Sequence, residues 1–298
     1  MNVVVLGAKG QLGRCLSDQL VATNHKVTLA AREDIDIADL DSIKAKLITL
    51  NPDVVINASA YTAVDKAEEE ADKANEVNNI GVGHLARVCA DMSSVLIHIS
   101  TDYVFDGLSE TPYKESIQPN PQSVYGNTKL LGELAIQASG CDYLIIRTAW
   151  VFSEYGNNFL KTMLRLGKER DKLSVVGDQI GCPTYAQDIA KAILTVLKGI
   201  ESKNACWGIY HYCGEEVTSW FGFAEAIFDE AKQANLISKS PELTKISTAD
   251  FPTLAKRPAY SVLDSTNIFT DWGVQPCDWQ SAINFAIANM SLEPSLKS

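Results

Sequence analysis

The sequence predicts an α/β chain: a doubly wound parallel sheet with a smaller C-terminal lobe. Three observations carry the prediction. Short apolar, β-branched runs recur through the first half with almost no in–out alternation, and stretches of helical spacing separate them. A glycine cluster follows the first run directly, where a strand must turn into a helix. Strands without alternation are buried on both faces, and only helices above and below a parallel sheet can bury them so.

Residues 3–6 (VVVL) form the first strand, and Leu12, Leu16 and Leu20 then fall on one helical face. Residues 27–30 form the second strand, and Ile43, Leu47 and Leu50 space the second helix. Residues 54–57, 95–100 and 143–148 are three further strands, separated by helical stretches over 77–90 and through Leu130, Leu134 and Ala138. Right-handed crossovers follow from strand chirality. After about residue 150 the alternation loosens into turn clusters at 156–158, 177–178, 181–183 and 199–208. A charged, proline-containing stretch over 239–258 shows no strong core pattern. The expected division is 1–150 for the sheet domain and 151–298 for a lobe closing over its ligand, with later segments returning to the sheet.

The chain of 298 residues carries a formal net charge of −11. An acidic surface repels nucleic acid and anionic lipid, so neither is expected as a partner. Any phosphate-bearing ligand must be caught by local donors against that field. No apolar run reaches the roughly 18 residues of a membrane span, and no signal-peptide pattern opens the chain. The seven cysteines are dispersed and lack CxxC spacing, which suits reduced thiols in the cytoplasm.

Residues 7–13, GAKGQLG, join the first strand to its helix. Gly7, Gly10 and Gly13 permit a tight turn, a close backbone approach to a pyrophosphate and close helix–strand packing, while the helix N-terminus supplies positive potential. A dinucleotide is the expected ligand. In such sites an acidic residue about 20 positions later takes the ribose 2′-hydroxyl. Here the second strand ends in alanines followed by Arg32, a partner for a 2′-phosphate, so NADPH is favoured and NADH is the alternative. Asp36 and Ile37 fall where the next loop passes the adenine.

Tyr125 and Lys129 stand four apart in SVYGNTK, neighbours on one helical face. Leu130, Leu131, Leu134, Ala135 and Ala138 centre on the opposite face and are expected to be the buried stripe. A cation beside a phenol lowers its pKa, and a phenol so tuned exchanges a proton near neutrality. The preceding strand ends in Ser100 and Thr101, at the sheet end where ligands bind. Thr101 and Tyr125 are therefore expected to meet one carbonyl oxygen. His25, His84, His98 and His211 lack metal-ligand spacing, and no metal site is expected from them. Glu68–Glu70 reads as a solvated helix start, and Trp207, Trp220, Trp272 and Trp279 as packing.

With these pieces the chain resembles the dTDP-4-dehydrorhamnose reductase family, within the Rossmann-fold extended short-chain dehydrogenases/reductases. The match runs almost the whole length. GAKGQLG and VYGNTKLLGE (124–133) are superfamily-wide; STDYVFDG (100–107), GNNF (156–159) and DQIGCPT (178–184) are narrower. PDVVINASAYTAVDKAE (52–68), RTAWV (147–151) and Arg257-Pro258 complete it. The resemblance implies reduction of a nucleotide sugar's keto group, with Tyr125 as general acid, Lys129 orienting the nicotinamide ribose and Thr101 polarising the keto oxygen. It implies that Gly10, Gln11 and Leu12 hold the pyrophosphate and that Asp36, Ile37, Ala60, Tyr61, Thr62 and Ile99 line the dinucleotide site. Thr101, Asp102 and Trp150 would contact the sugar nucleotide, and Arg257 is expected to neutralise its diphosphate. Some members bind Mg²⁺ at a dimer interface through a glutamate whose matching position here is Gln187, which leaves the metal open, and monomer or homodimer with it. An epimerase or dehydratase of the superfamily, and a non-catalytic NADP-binding regulatory subunit, are the rival readings.

Overall fold

The computed structural model describes residues 1–292. Its centre is a six-stranded parallel sheet. The first five strands in chain order are β1 (Asn2–Leu6), β2 (Lys26–Ala30), β3 (Val54–Asn57), β4 (Val95–Thr101) and β5 (Tyr143–Thr148). The sixth, Gly208–His211, returns from the C-terminal half and pairs with β5. From that edge the order runs Gly208–His211, β5, β4, β3, β1, β2.

The absence of alternation has a direct cause. Along β1, Val3 and Val5 pack into one core, while Val4 and Leu6 pack into another on the opposite face. The chain leaves β1 for β2 on one side, then crosses to β3 on the other, with Leu6 opposite Ala30 and Asn57. That reversal opens a crevice at the strand C-termini between β1 and β3, the usual ligand position in such sheets.

Beyond residue 150 the chain divides its service. The helix Ala186–Glu201 packs on the helix Gln11–Leu20 and so covers the main sheet. Lys172–Val176 pairs in parallel with Glu242–Ile246, a strand inside the stretch for which no core pattern was expected. No residue of Glu242–Ile246 is fully buried, so that strand carries no core pattern of its own. A third core gathers Val104, Phe105, Tyr113, Cys182, Cys213, Val262 and Leu263, tying the end of β4 to the C-terminal lobe. All seven cysteines are free thiols, and only Cys206 is exposed. No helix among the described residues is long and apolar enough to cross a membrane.

The expected buried stripe on the helix Val124–Gln137 is reversed. Leu131 and Leu134 are exposed, whereas Gly126, Thr128, Lys129, Gly132, Glu133 and Ile136 are buried. Gly132 is the reason: a Cβ there would lie 2.1 Å from the Asn78 carbonyl oxygen. The helix lies backbone to backbone against its neighbour on its polar face, and the Tyr-Lys pair goes inward with it.

Candidate active site

A cavity of about 740 Å³ opens at the crevice, within the range of small-molecule sites. Its floor is the glycine turn. The helix Gln11–Leu20 starts from Gly10 without any side-chain cap, so its first backbone N–H groups remain free to meet an anion. A Cβ on Gly13 would stand 2.2 Å from the Gly7 carbonyl oxygen and 2.6 Å from the Ala8 Cα. The turn is closed to any larger residue at Gly7 and Gly13, and its exposed donors are backbone N–H groups. The residues present therefore fit a dinucleotide.

Gly7, Gly10, Gln11, Leu12, Arg32, Asp36, Ile37, Ala60, Tyr61, Thr62 and Ile99 all line this cavity, as do Thr101, Asp102, Tyr125, Lys129 and Trp150. Gly13 packs beneath the turn. Arg32 pairs with Asp36 at 3.3 Å, Lys9 with Glu33, and Lys73 with Glu70 at 3.3 Å. Each of these three lining cations thus already has a carboxylate, and the uncapped helix start is the local donor set that the acidic surface requires.

Arg257 is not brought to the cavity lining. Its guanidinium bonds Asp65 at 2.5 Å and donates to the Tyr103 hydroxyl at 2.7 Å. The Tyr103 ring meets the Tyr125 ring edge-on at 5.5 Å, so Arg257 braces the wall behind the phenol. Gln187 is also spoken for: its amide accepts from Gln19 at 3.0 Å and donates to Asp18 at 3.1 Å.

The Tyr125 hydroxyl bonds to Thr101. Burial raises the phenol pKa, the Thr101 bond lowers it, and the neighbouring Asp102 raises it. The expected lowering by Lys129 is not found, because its Nζ donates to the Ile99 carbonyl at 2.7 Å and lies 3.1 Å from His98 Nε2. Burial brings Lys129 down to about 8, against the opposing pull of Glu133. Burial also pushes Asp102 up to about 7. Asp102 Oδ1 accepts from the Thr101 hydroxyl at 2.9 Å, while its Oδ2, like Thr148 Oγ1, is buried with no partner.

Several residues at the site carry no motif of their own. Asn78 sits in a π-turn of the helix preceding β4, where its Oδ1 accepts from the Tyr61 N–H and its Nδ2 donates to the Tyr61 carbonyl. It thereby fixes the loop carrying Ala60, Tyr61 and Thr62. Glu68 is not a solvated helix start; its carboxylate accepts from the Val124 N–H at 2.9 Å. Trp220, read as packing, stacks on Trp150 at 3.6 Å between centroids. DQIGCPT makes that stack: Gln179 accepts from Trp220 Nε1 at 3.1 Å, and a Cβ on Gly181 would lie 2.5 Å from the Trp150 ring.

The RmlD substrate binding domain family matches residues 1–292. A dTDP-4-dehydrorhamnose reductase of Aggregatibacter actinomycetemcomitans is 46% identical over 284 residues, which is 95% of this chain and 97% of that protein. The chain belongs to the dTDP-4-dehydrorhamnose reductase family. Solved structures titled as such reductases agree. One from Clostridium acetobutylicum has a TM-score of 0.90 at 39% identity, covering 98% of this chain and all of that one. Another, from Bacillus anthracis in complex with NADP, has a TM-score of 0.89 at 35% identity, covering 97% of this chain and 100% of that chain. GNNF has a local part to play: Asn158 caps the helix Phe159–Glu169, and its Nδ2 donates to Gln11 Oε1 at 2.8 Å, bracing the glycine turn.

Proposed function

We propose that this chain reduces the 4-keto group of dTDP-4-dehydro-β-L-rhamnose, giving dTDP-L-rhamnose, with NADPH as the reductant and NADH as the alternative. The observation that carries the reading is the convergence of Thr101, Tyr125 and Lys129 on the cavity that also takes in the uncapped glycine turn. A dinucleotide bound along the turn would place its nicotinamide end toward those side chains.

The bound cofactor supplies the hydride. Tyr125 gives its proton to the ketone oxygen as negative charge develops there, so hydride and proton together add two electrons and two hydrogens to the carbonyl. Thr101 turns its hydroxyl proton from Asp102 Oδ1 to the same oxygen, a donor aimed where charge appears. The high pKa of the buried phenol keeps it protonated and ready as an acid. Lys129 orients the cofactor's ribose from the turn of helix below Tyr125. Gly10, Gln11 and Leu12 hold the pyrophosphate, and Arg32, exposed and paired only at its Asp36 side, turns from that carboxylate to the phosphate on the adenosine ribose.

Asp102 Oδ2 and Thr148 Oγ1 suit a sugar. Buried polar atoms normally have partners, and the hydroxyls of a pyranose would satisfy both. The Trp150–Trp220 stack gives the nucleotide a flat apolar wall.

The test is to mix the purified chain with dTDP-4-dehydrorhamnose and NADPH, then with NADH, and follow loss of reduced-nicotinamide absorbance. Consumption equal to product formed is expected. Product without net NADPH loss would indicate an epimerase or dehydratase, and binding without turnover a regulatory subunit.

A further inference from the structure

We propose that a one-way hydrogen-bond chain, running from the Ser59 backbone N–H through Asn57 and His98, favours the uncharged amine of Lys129 and makes His98 and Asn57 positioning residues. The significance for turnover rests on the reductase reading; the chain itself does not.

The chain starts from a donor that cannot reverse. The Ser59 N–H donates to Asn57 Oδ1 at 3.0 Å, and the Ser59 hydroxyl donates to the same oxygen at 2.6 Å. A flipped amide would face its NH₂ to that backbone N–H, so Asn57 is locked with Nδ2 pointing away. Asn57 Nδ2 lies 3.0 Å from His98 Nδ1. Because Nδ2 is a donor only, Nδ1 must accept, and in a neutral imidazole the proton then sits on Nε2. His98 Nε2 faces Lys129 Nζ at 3.1 Å. An ammonium has three donors and no acceptor, whereas an amine has one lone pair to receive the Nε2 proton. The amine still donates to the Ile99 carbonyl.

Every bond from Ser59 to Ile99 is therefore made only when Lys129 is uncharged. With an ammonium present, two donors meet either at His98 Nε2 or at His98 Nδ1. Asn57, His98 and Lys129 are all essentially inaccessible to water, so no solvent molecule relieves the clash. Other charges do not reverse the bias. On its own helix Lys129 has Tyr125 one turn before and Glu133 one turn after, and Glu133 is spent on Arg147 from β5. His98 and the Ile99 carbonyl face Lys129 from β4. Burial pushes His98 well below its ordinary pKa, so the ring is the neutral imidazole. With its lone pair on His98 and one N–H on the Ile99 carbonyl, the amine has one N–H left to aim at the cofactor's ribose.

The direct test is the two-bond ¹H–¹⁵N correlation of histidine rings in the full-length, cofactor-free protein across the neutral range, with His98→Gln assigning the signal. The expected pattern is a proton on Nε2 and a bare Nδ1. A proton on Nδ1, or an imidazolium, overturns the proposal. Asn57→Asp then reverses the chain, since it keeps an acceptor for Ser59 and offers His98 Nδ1 an acceptor in place of a donor. The Lys129 titration, read from its ¹³Cε shift, should move up by about one pH unit or more, with His98 switching tautomer. An unmoved titration in the folded variant overturns the proposal, and the wild-type tautomer decides it alone if the variant does not fold. None of these readouts needs turnover, so failure of the reductase assay beside the expected tautomer would remove only the catalytic reading.

Discussion

Replacing Glu133 by Gln takes one charge out of a site without water. Glu133 and Arg147 have side chains 0% and 2% exposed. The carboxylate accepts from Arg147 Nη2 at 2.6 Å, from Nε at 3.0 and 3.2 Å, and from the Ser100 hydroxyl at 2.5 Å. Arg147 also meets His211 Nε2 at 3.5 Å and lies over the Phe105 ring at 5.2 Å; burial together with Arg147 itself pushes His211 down to about 3, so the imidazole brings no compensating charge, and the half-buried Glu115 carboxylate has no hydrogen bond to the guanidinium. Gln keeps the shape but leaves a guanidinium buried without its counter-charge. Breaking such a pair costs about 3–5 kcal/mol, and a chain of this size loses about 2–4 °C in Tm per kcal/mol. A fall of roughly 6–20 °C is expected in thermal unfolding followed by circular dichroism, with a matching drop in urea midpoint. The pair replaced jointly, Glu133→Leu with Arg147→Met, should recover most of it, because well-packed apolar side chains replace a buried pair at little cost. A Glu133→Gln variant within about 1 kcal/mol of wild type would refute the reasoning.

Other outcomes are open to measurement. Tyr125→Phe should keep NADPH affinity, read by fluorescence titration, and lose about 10²–10⁴-fold in kcat; near wild-type turnover would remove the phenol from its role. Gly13→Ala puts a Cβ 2.2 Å from the Gly7 carbonyl oxygen, so NADPH affinity should fall at least about tenfold, and an unchanged Kd would show the turn to be irrelevant. Trp220→Leu should raise KM for the nucleotide sugar about 2- to 10-fold, the worth of one aromatic stack, with NADPH affinity unmoved. For Asp102, burial raises the folded pKa to about 7 from an ordinary 3.8. The folded state therefore holds this proton more tightly than the unfolded one, a contribution fully present below pH 3.8 and lost as pH rises through about 7. Asp102→Asn should flatten that part of the stability–pH curve measured by urea unfolding, and an identical slope in both proteins would contradict the assignment.

Sequence alone determined the architecture of the first half and the identity of the chemical groups. An unbroken apolar run such as VVVL has one stable setting, covered on both faces, and a glycine turn after it can serve few purposes. Local rules were enough because strand burial and turn geometry depend on adjacent residues. Tertiary structure decided which face of the Tyr125 helix is buried, since that depended on an Asn78 carbonyl 54 positions away from Gly132 in the chain. It decided likewise that Arg257 braces Tyr103, that Trp220 stacks on Trp150, and that His98 meets Lys129. These are contacts between residues distant in sequence, and their energies come from desolvation and hydrogen-bond geometry that no local spacing encodes. The titration behaviour of the site belongs to the same class, because burial, which only the assembled fold creates, is the first cause of each shift at Tyr125, Lys129 and Asp102.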